Sequence, residues 1–145
     1  MTTNKGLIHL KKMFRDFEIT KDFAYCLRNC VINKATGNGH VEIELEVADE
    51  HLNPSSTIHG GFTATLVNIA STAAVLDSGR PTGGRSVDLS VSYQSAAKSG
   101  ETIIAESTVQ KTTRNFVFIN TKIYRKADNM SIATGQETKT FLPAE

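Results

Sequence analysis

Between Phe62 and Leu76 the chain carries no charged residue, and the segment Gly60 to Asp77 around it is rich in Ala, Leu, Val and Ile. Beyond its opening Gly-Gly it holds no Gly or Pro, and it runs into Ser78-Gly79-Arg80-Pro81, a helix stop signal. A helix that is apolar almost all round must be buried on most sides, so the remaining chain has to supply a surface that wraps it. No apolar run reaches the roughly 20 residues needed to cross a bilayer. With 145 residues and 39% hydrophobic content, residues 1–145 read as one domain able to bury a sizeable core.

Period-two alternation supplies the wrapping surface. Tyr25 to Asn33 reads as a strand, followed by a turn at Lys34 to Gly39 and a second strand in which Val41, Ile43, Leu45 and Val47 alternate with Glu42, Glu44 and Glu46. After the helix, Val87, Leu89, Val91 and Tyr93 alternate with Ser86, Asp88, Ser90 and Ser92. Three further strands are expected at Glu101 to Lys111, Asn115 to Lys126 and Met130 to Phe141, with turns at Ala97 to Gly100, Thr112 to Arg114 and Ala127 to Asn129. A first helix, two strands, one long buried helix and four strands define an α+β class, an antiparallel sheet wrapped around a long central helix.

Sixteen basic against 15 acidic residues leave a net charge of +1, so no polyanion partner such as nucleic acid is indicated. Met1 to Phe17 spreads Lys5, Lys11, Lys12 and Arg15 among Leu7, Ile8, Leu10, Met13, Phe14 and Phe17, the pattern of an amphipathic helix rather than a signal peptide. Basic amphipathic N-termini also resemble transit peptides, which makes a mitochondrial protein the alternative to a cytoplasmic one. Cys26 and Cys30 are the only cysteines. On a strand they would share one face about 13 Å apart, too far to bridge. Two free thiols fit a reducing compartment, and no metal site is supported by histidine spacing.

The stretch Asn53 to Asn68 carries the chemistry. Asn-Pro-Ser-Ser-Thr-Ile-His-Gly-Gly leads directly into the apolar helix, so the N–H groups of Gly60 and Gly61 are free first-turn donors that a ligand can approach closely. Such donors favour an oxygen that develops negative charge, and in acyl transfer each is worth roughly 2.7 to 4 kcal/mol. Asn53 is placed to add an amide donor. Loop and N-cap chemistry alone explains the same residues, and both readings stand on spacing.

The element order and the residues resemble the hotdog-fold acyl-CoA thioesterases of the thioesterase superfamily member 2 type, relatives of the phenylacetate-pathway thioesterases. The resemblance rests on Asn53, on His59 through Val67, on Ser71-Thr72, on Ser86-Val87-Asp88 and on Tyr93 through Glu101. It implies hydrolysis of fatty or aryl acyl-CoA to free acid and CoA by water attack, with CoA as part of the substrate and no separate cofactor. It further implies that the Gly60 N–H and Asn53 polarise the thioester carbonyl, that His59 orients the turn and assists the departing thiolate, and that Ser86 and a helix carboxylate activate water.

At that helix position the chain has Asn68. An amide can hold water or the thioester oxygen but cannot take a proton, and loss of general-base help costs on the order of 10² to 10⁴ in rate. Impaired turnover is therefore expected; the alternatives are a non-catalytic acyl-CoA-binding or partner-binding protein and, with less support, a hydratase using His59. A buried Asn68 bonded within the core is the purely structural reading.

Gly60 and Asn68 lie roughly 12 Å apart along one helix, so a shared reacting carbon requires two chains, at least a two-fold dimer. The resemblance implies a dimer of dimers. Lys98 and Arg114, with Lys111 and Lys122, either meet the phosphates of CoA or line a solvated sheet edge. Asp88, spaced to share a face with Ser86, is a substitute base at most. Asp77 reads as a solvated helix end, and His9, His40 and His51 as surface residues.

Overall fold

A computed structural model describes residues 5–143. Helix α1 (Lys5–Asp16) is followed by a short 3-10 turn (Phe23–Leu27) and strands β1 (Val31–Ala35) and β2 (His40–Glu46). Then come helix α2 (Gly60–Asp77) and strands β3 (Arg85–Tyr93), β4 (Thr102–Thr112), β5 (Phe116–Arg125) and β6 (Ser131–Thr140). All six strands form one antiparallel sheet in the order β1-β2-β4-β5-β6-β3, curved around α2. The expected α+β hotdog arrangement is thus present. The amphipathic N-terminal helix is also present from Lys5, and the part of it expected at Met1 to Asn4 lies outside the described residues.

Helix α2 is capped by His59 and ends before Gly79, whose φ of 102° favours glycine. Leu66, Val67, Ala70, Ala73, Ala74 and Val75 are all at most 1% exposed and pack on Ile43, Leu45, Ile103, Ala105, Ile119 and Ile123. Small side chains along this stripe let the helix lie close to the sheet. Gly135 of β6 brings it closer still, because a Cβ there would stand 2.6 Å from Val67 Cγ1. That contact seats Asn68 against β6.

Three expectations change. The segment Tyr25 to Asn33 is not one strand: Cys26 lies in the 3-10 turn and Cys30 just before β1, both as free thiols. Asp22 caps that turn by accepting from the Ala24 N–H at 2.9 Å, a local bond that outcompetes extended backbone. Asp77 is not solvated. It is 4% exposed and its carboxylate accepts the N–H groups of Gly37, Gly39 and His40 at 2.9 to 3.1 Å, clamping the β1–β2 turn onto the end of α2. Ser86 and Asp88 do not share a face, because a bulge pairs Ser86 with Lys139 but Asp88 with the adjacent Thr138. The extra residue turns Ser86 toward α2 and Asp88 away, which removes Asp88 as a substitute base.

Candidate active site

Two clusters lie along α2, one at its first turn and one beside its middle. The first is the turn entering the helix. Leu52 and Ile58 pair across a bridge, closing a loop in which Asn53 Oδ1 accepts from the Ser55 N–H (2.9 Å) and Thr57 N–H (3.2 Å), while Asn53 Nδ2 donates to Thr57 Oγ1 (3.0 Å). One Nδ2 hydrogen remains for a ligand. Ser56 is held at φ 62°, a left-handed conformation that such functional turns tolerate at a local cost.

His59 is the N-cap. Its Nδ1 accepts the Gly61 N–H at 2.8 Å, so only one of the two expected glycine donors is free: among the described residues no acceptor takes the Gly60 N–H. Because Nδ1 accepts, the ring proton sits on Nε2, directed away from the cap and fit to donate to a departing thiolate. Tyr93 Oη donates to the Gly60 carbonyl at 2.8 Å and ties the turn to the end of β3.

His51 braces the turn from beneath and is not a surface residue. It is 2% exposed, its ring stacks on Phe62 at 4.4 Å, its Nδ1 accepts the Ala48 N–H, and its carbonyl accepts the His59 N–H. Burial holds its pKa below the ordinary value, keeping the ring neutral. His40 is half-buried, with Nδ1 2.7 Å from Thr108 Oγ1 and its ligand atoms grouped with those of Glu42 and Glu106. Sequence spacing misses that group because Glu106 arrives from β4. His9 is exposed, as expected.

The second cluster faces the middle of α2. Asn68 Nδ2 donates to Ser86 Oγ at 3.1 Å and to Glu137 Oε1 at 2.9 Å, and Ser86 Oγ donates to the same Glu137 oxygen in a short bond. The fold thus brings Asn68 and Ser86 together. Glu137 is the residue that sequence reasoning missed. It lies in Thr-Gly-Gln-Glu-Thr-Lys-Thr, where polar residues occupy both strand faces and no hydrophobic alternation marks the inner one. Lys139 Nζ stands 3.4 Å from Glu137 Oε1, and the two residues are 3% and 2% exposed.

Gly60 and Asn68 sit eight residues apart on the single helix, about 12 Å along its axis. Within one chain the Gly60 turn and the Asn68 cluster are thus held apart. Lys98 and Arg114 are also split. Lys98 follows β3 beside Ala97, whose carbonyl takes the Ile58 N–H next to the His59-Gly60 turn. Arg114 lies in the β4–β5 turn near Thr140 and hence near the start of β3. Both are exposed, and neither is in an ion pair among the described residues.

A curved antiparallel sheet around one buried helix, with a backbone donor at that helix's first turn and a polar cluster on its flank, defines a hotdog protein equipped to handle thioesters. Residues 55–132 match the family model of the thioesterase superfamily. Acyl-coenzyme A thioesterase 13 of Homo sapiens is 42% identical over 101 residues, 70% of this chain and 72% of that protein. Zebra fish thioesterase superfamily member 2 superposes with a TM-score of 0.90 at 36% identity, covering 94% of this chain and 98% of that one. The corresponding Mus musculus structure gives 0.81 at 29% identity, covering 92% and 98%. The chain belongs to the thioesterase superfamily.

Proposed function

We propose that the protein hydrolyses fatty or aryl acyl-CoA thioesters to free acid and CoA, working as a two-fold dimer or a dimer of such dimers. The observation that carries this reading is the separation of two complementary half-sites along α2. The Gly60 N–H, the spare Asn53 hydrogen and His59 suit the carbonyl oxygen and the leaving sulfur. Asn68 and Ser86 suit a water. Each half lacks what the other has.

The β3 edge of the sheet is where a second copy fits. Strand β3 pairs on one side only, with β6, and exposes Val87 (57%), Leu89 (39%) and Tyr93 (58%). An apolar edge strand invites antiparallel pairing with its own copy, which brings the Tyr93 end of one strand against the Arg85 end of the other. The Gly60 turn of one chain then faces the Asn68 cluster of the other. Lys98 of one chain likewise approaches Arg114 of the other, giving the cations for the CoA phosphates.

Thiol release from a panel of acyl-CoA esters tests the reading. Steady release with CoA as product is the expected result. Tight acyl-CoA binding without release would instead favour a binding protein, the reading that the Asn68 amide alone supports because it holds a ligand oxygen but accepts no proton.

A further inference from the structure

Where the resemblance asks for a carboxylate on α2, the chain has an amide, yet a carboxylate reaches the same place from the sheet. Glu137 Oε1 gathers the Asn68 amide, the Ser86 hydroxyl and, at 3.4 Å, the Lys139 ammonium. On this face of β6 the neighbouring inward positions are Ala133 and Gly135, both buried against α2. A Glu–Lys pair sealed in such surroundings gains little for stability over apolar residues of the same size. Glu137 Oε2 is moreover buried with no hydrogen-bond partner, an unsatisfied acceptor of the kind that asks for a functional reason.

We propose that Glu137 is the proton acceptor of the water-holding half-site, acting through the Ser86 hydroxyl. The helix carboxylate of the family has in effect moved one element sideways, onto β6. This rests on the thioesterase reading above. Ser86 is exposed and Glu137 is not, so water reaches the hydroxyl rather than the carboxylate. As the water oxygen bonds to the thioester carbon, Ser86 Oγ takes a water proton and passes its own to Glu137 Oε1. The carbonyl π electrons move onto oxygen, where the Gly60 N–H of the second chain holds them. Collapse of the tetrahedral intermediate breaks the carbon–sulfur bond, and the thiolate leaves with a proton returned from Glu137 through Ser86 or donated by His59 Nε2 and replaced from solvent. Water and thioester become acid and thiol, with no other reactant. Asn68 positions the pair by donating to both oxygens, and Lys139 balances the buried charge.

The test is thiol release by the wild type, Glu137→Gln, Ser86→Ala, Asn68→Asp and the double variant Asn68→Asp/Glu137→Gln, with KM and kcat separated and a pH profile for each. Glu137→Gln should lose about 10² to 10⁴ in kcat with KM within about threefold. Asn68→Asp alone should gain nothing, because it sets two carboxylates within hydrogen-bond reach. In the Glu137→Gln background the same change should restore at least about tenfold, by returning a carboxylate to the Ser86 hydroxyl.

Glu137→Gln leaves Lys139 buried and unpaired, so Glu137→Gln/Lys139→Met serves where the single variant does not fold. Ser86→Ala interrupts the relay with the buried pair intact. Wild-type kcat in folded Glu137→Gln, in Glu137→Gln/Lys139→Met or in Ser86→Ala would overturn the assignment. So would a large gain from Asn68→Asp alone. No release by the wild type from any ester would overturn the thioesterase reading itself, which the variant results cannot do.

Discussion

Mixing two inactive variants should recreate active enzyme if each site draws one half from each chain. The first variant is Gly60→Pro. Gly60 is the first residue of α2, where proline fits the helix, and His59 is extended at φ −64° and ψ 131°, as a residue before proline prefers. The change deletes the free N–H and little else, and should cost about 10² to 10³ in kcat. The second variant, Asn68→Ala/Ser86→Ala, empties the other half. The 12 Å between the halves far exceeds the roughly 3 to 3.5 Å over which reacting groups must meet, so neither defect touches the other half of its own chain.

After equal mixing and random exchange, half of the dimers are hybrids, and each hybrid has one site with both defects and one with neither. Intact sites are then about one quarter of the total, and thiol release should rise from near the parental baselines to about 25% of the wild-type rate. A dimer of dimers obeys the same arithmetic, since every site still spans two chains. Differently tagged variants let mass spectrometry confirm exchange. If hybrids form and release stays at the mean of the parents, each site lies within one chain and the separation of half-sites has been misread.

Three further outcomes follow from packing and titration. Asp77→Ala should lower stability to urea at fixed protein concentration by about 3 to 4 kcal/mol, since three backbone N–H groups lose a charged acceptor and that of Gly39 is buried; a loss under about 1 kcal/mol would refute the clamp. Gly135→Ala should cost about 1 to 3 kcal/mol by driving its Cβ into Val67, and the cost should shrink in a Val67→Ala background, as a double-mutant cycle would show. Burial pushes the Cys30 thiol up to about 12, from an ordinary value of 9.0. The native state therefore keeps the proton that the unfolded chain loses: the stabilisation is full below pH 9 and falls above it by about 1.4 kcal/mol per pH unit toward 12. Cys30→Ala removes core packing at every pH, so the difference between its urea midpoint and that of the wild type should change with pH only in that window.

Local chemistry made much of this molecule legible. The span Gly60–Asp77 could be read to the residue because its uncharged length, its cap and the glycine after it all act within a few positions of one another. Strands β2 and β3 follow from alternation, and β4 to β6 from strand-like runs set between turns. The turn entering α2 was legible for the same reason, since an Asn, a His and two glycines before a helix have a local logic. What only the tertiary structure decided are the polar groups whose partners come from afar. A single bulge turned Ser86 toward the helix, and no residue type announces it. Asp77 looked solvated until the turn after β1 delivered three N–H groups to it, 37 to 40 positions away in sequence. Glu137 lies 69 positions from Asn68 in a strand polar on both faces, where period two carries no sign of which side is buried. A hydrophobic pattern states which face of an element is dry, but the partner of a buried charge is set by register and approach between elements, and those exist only once the chain has folded.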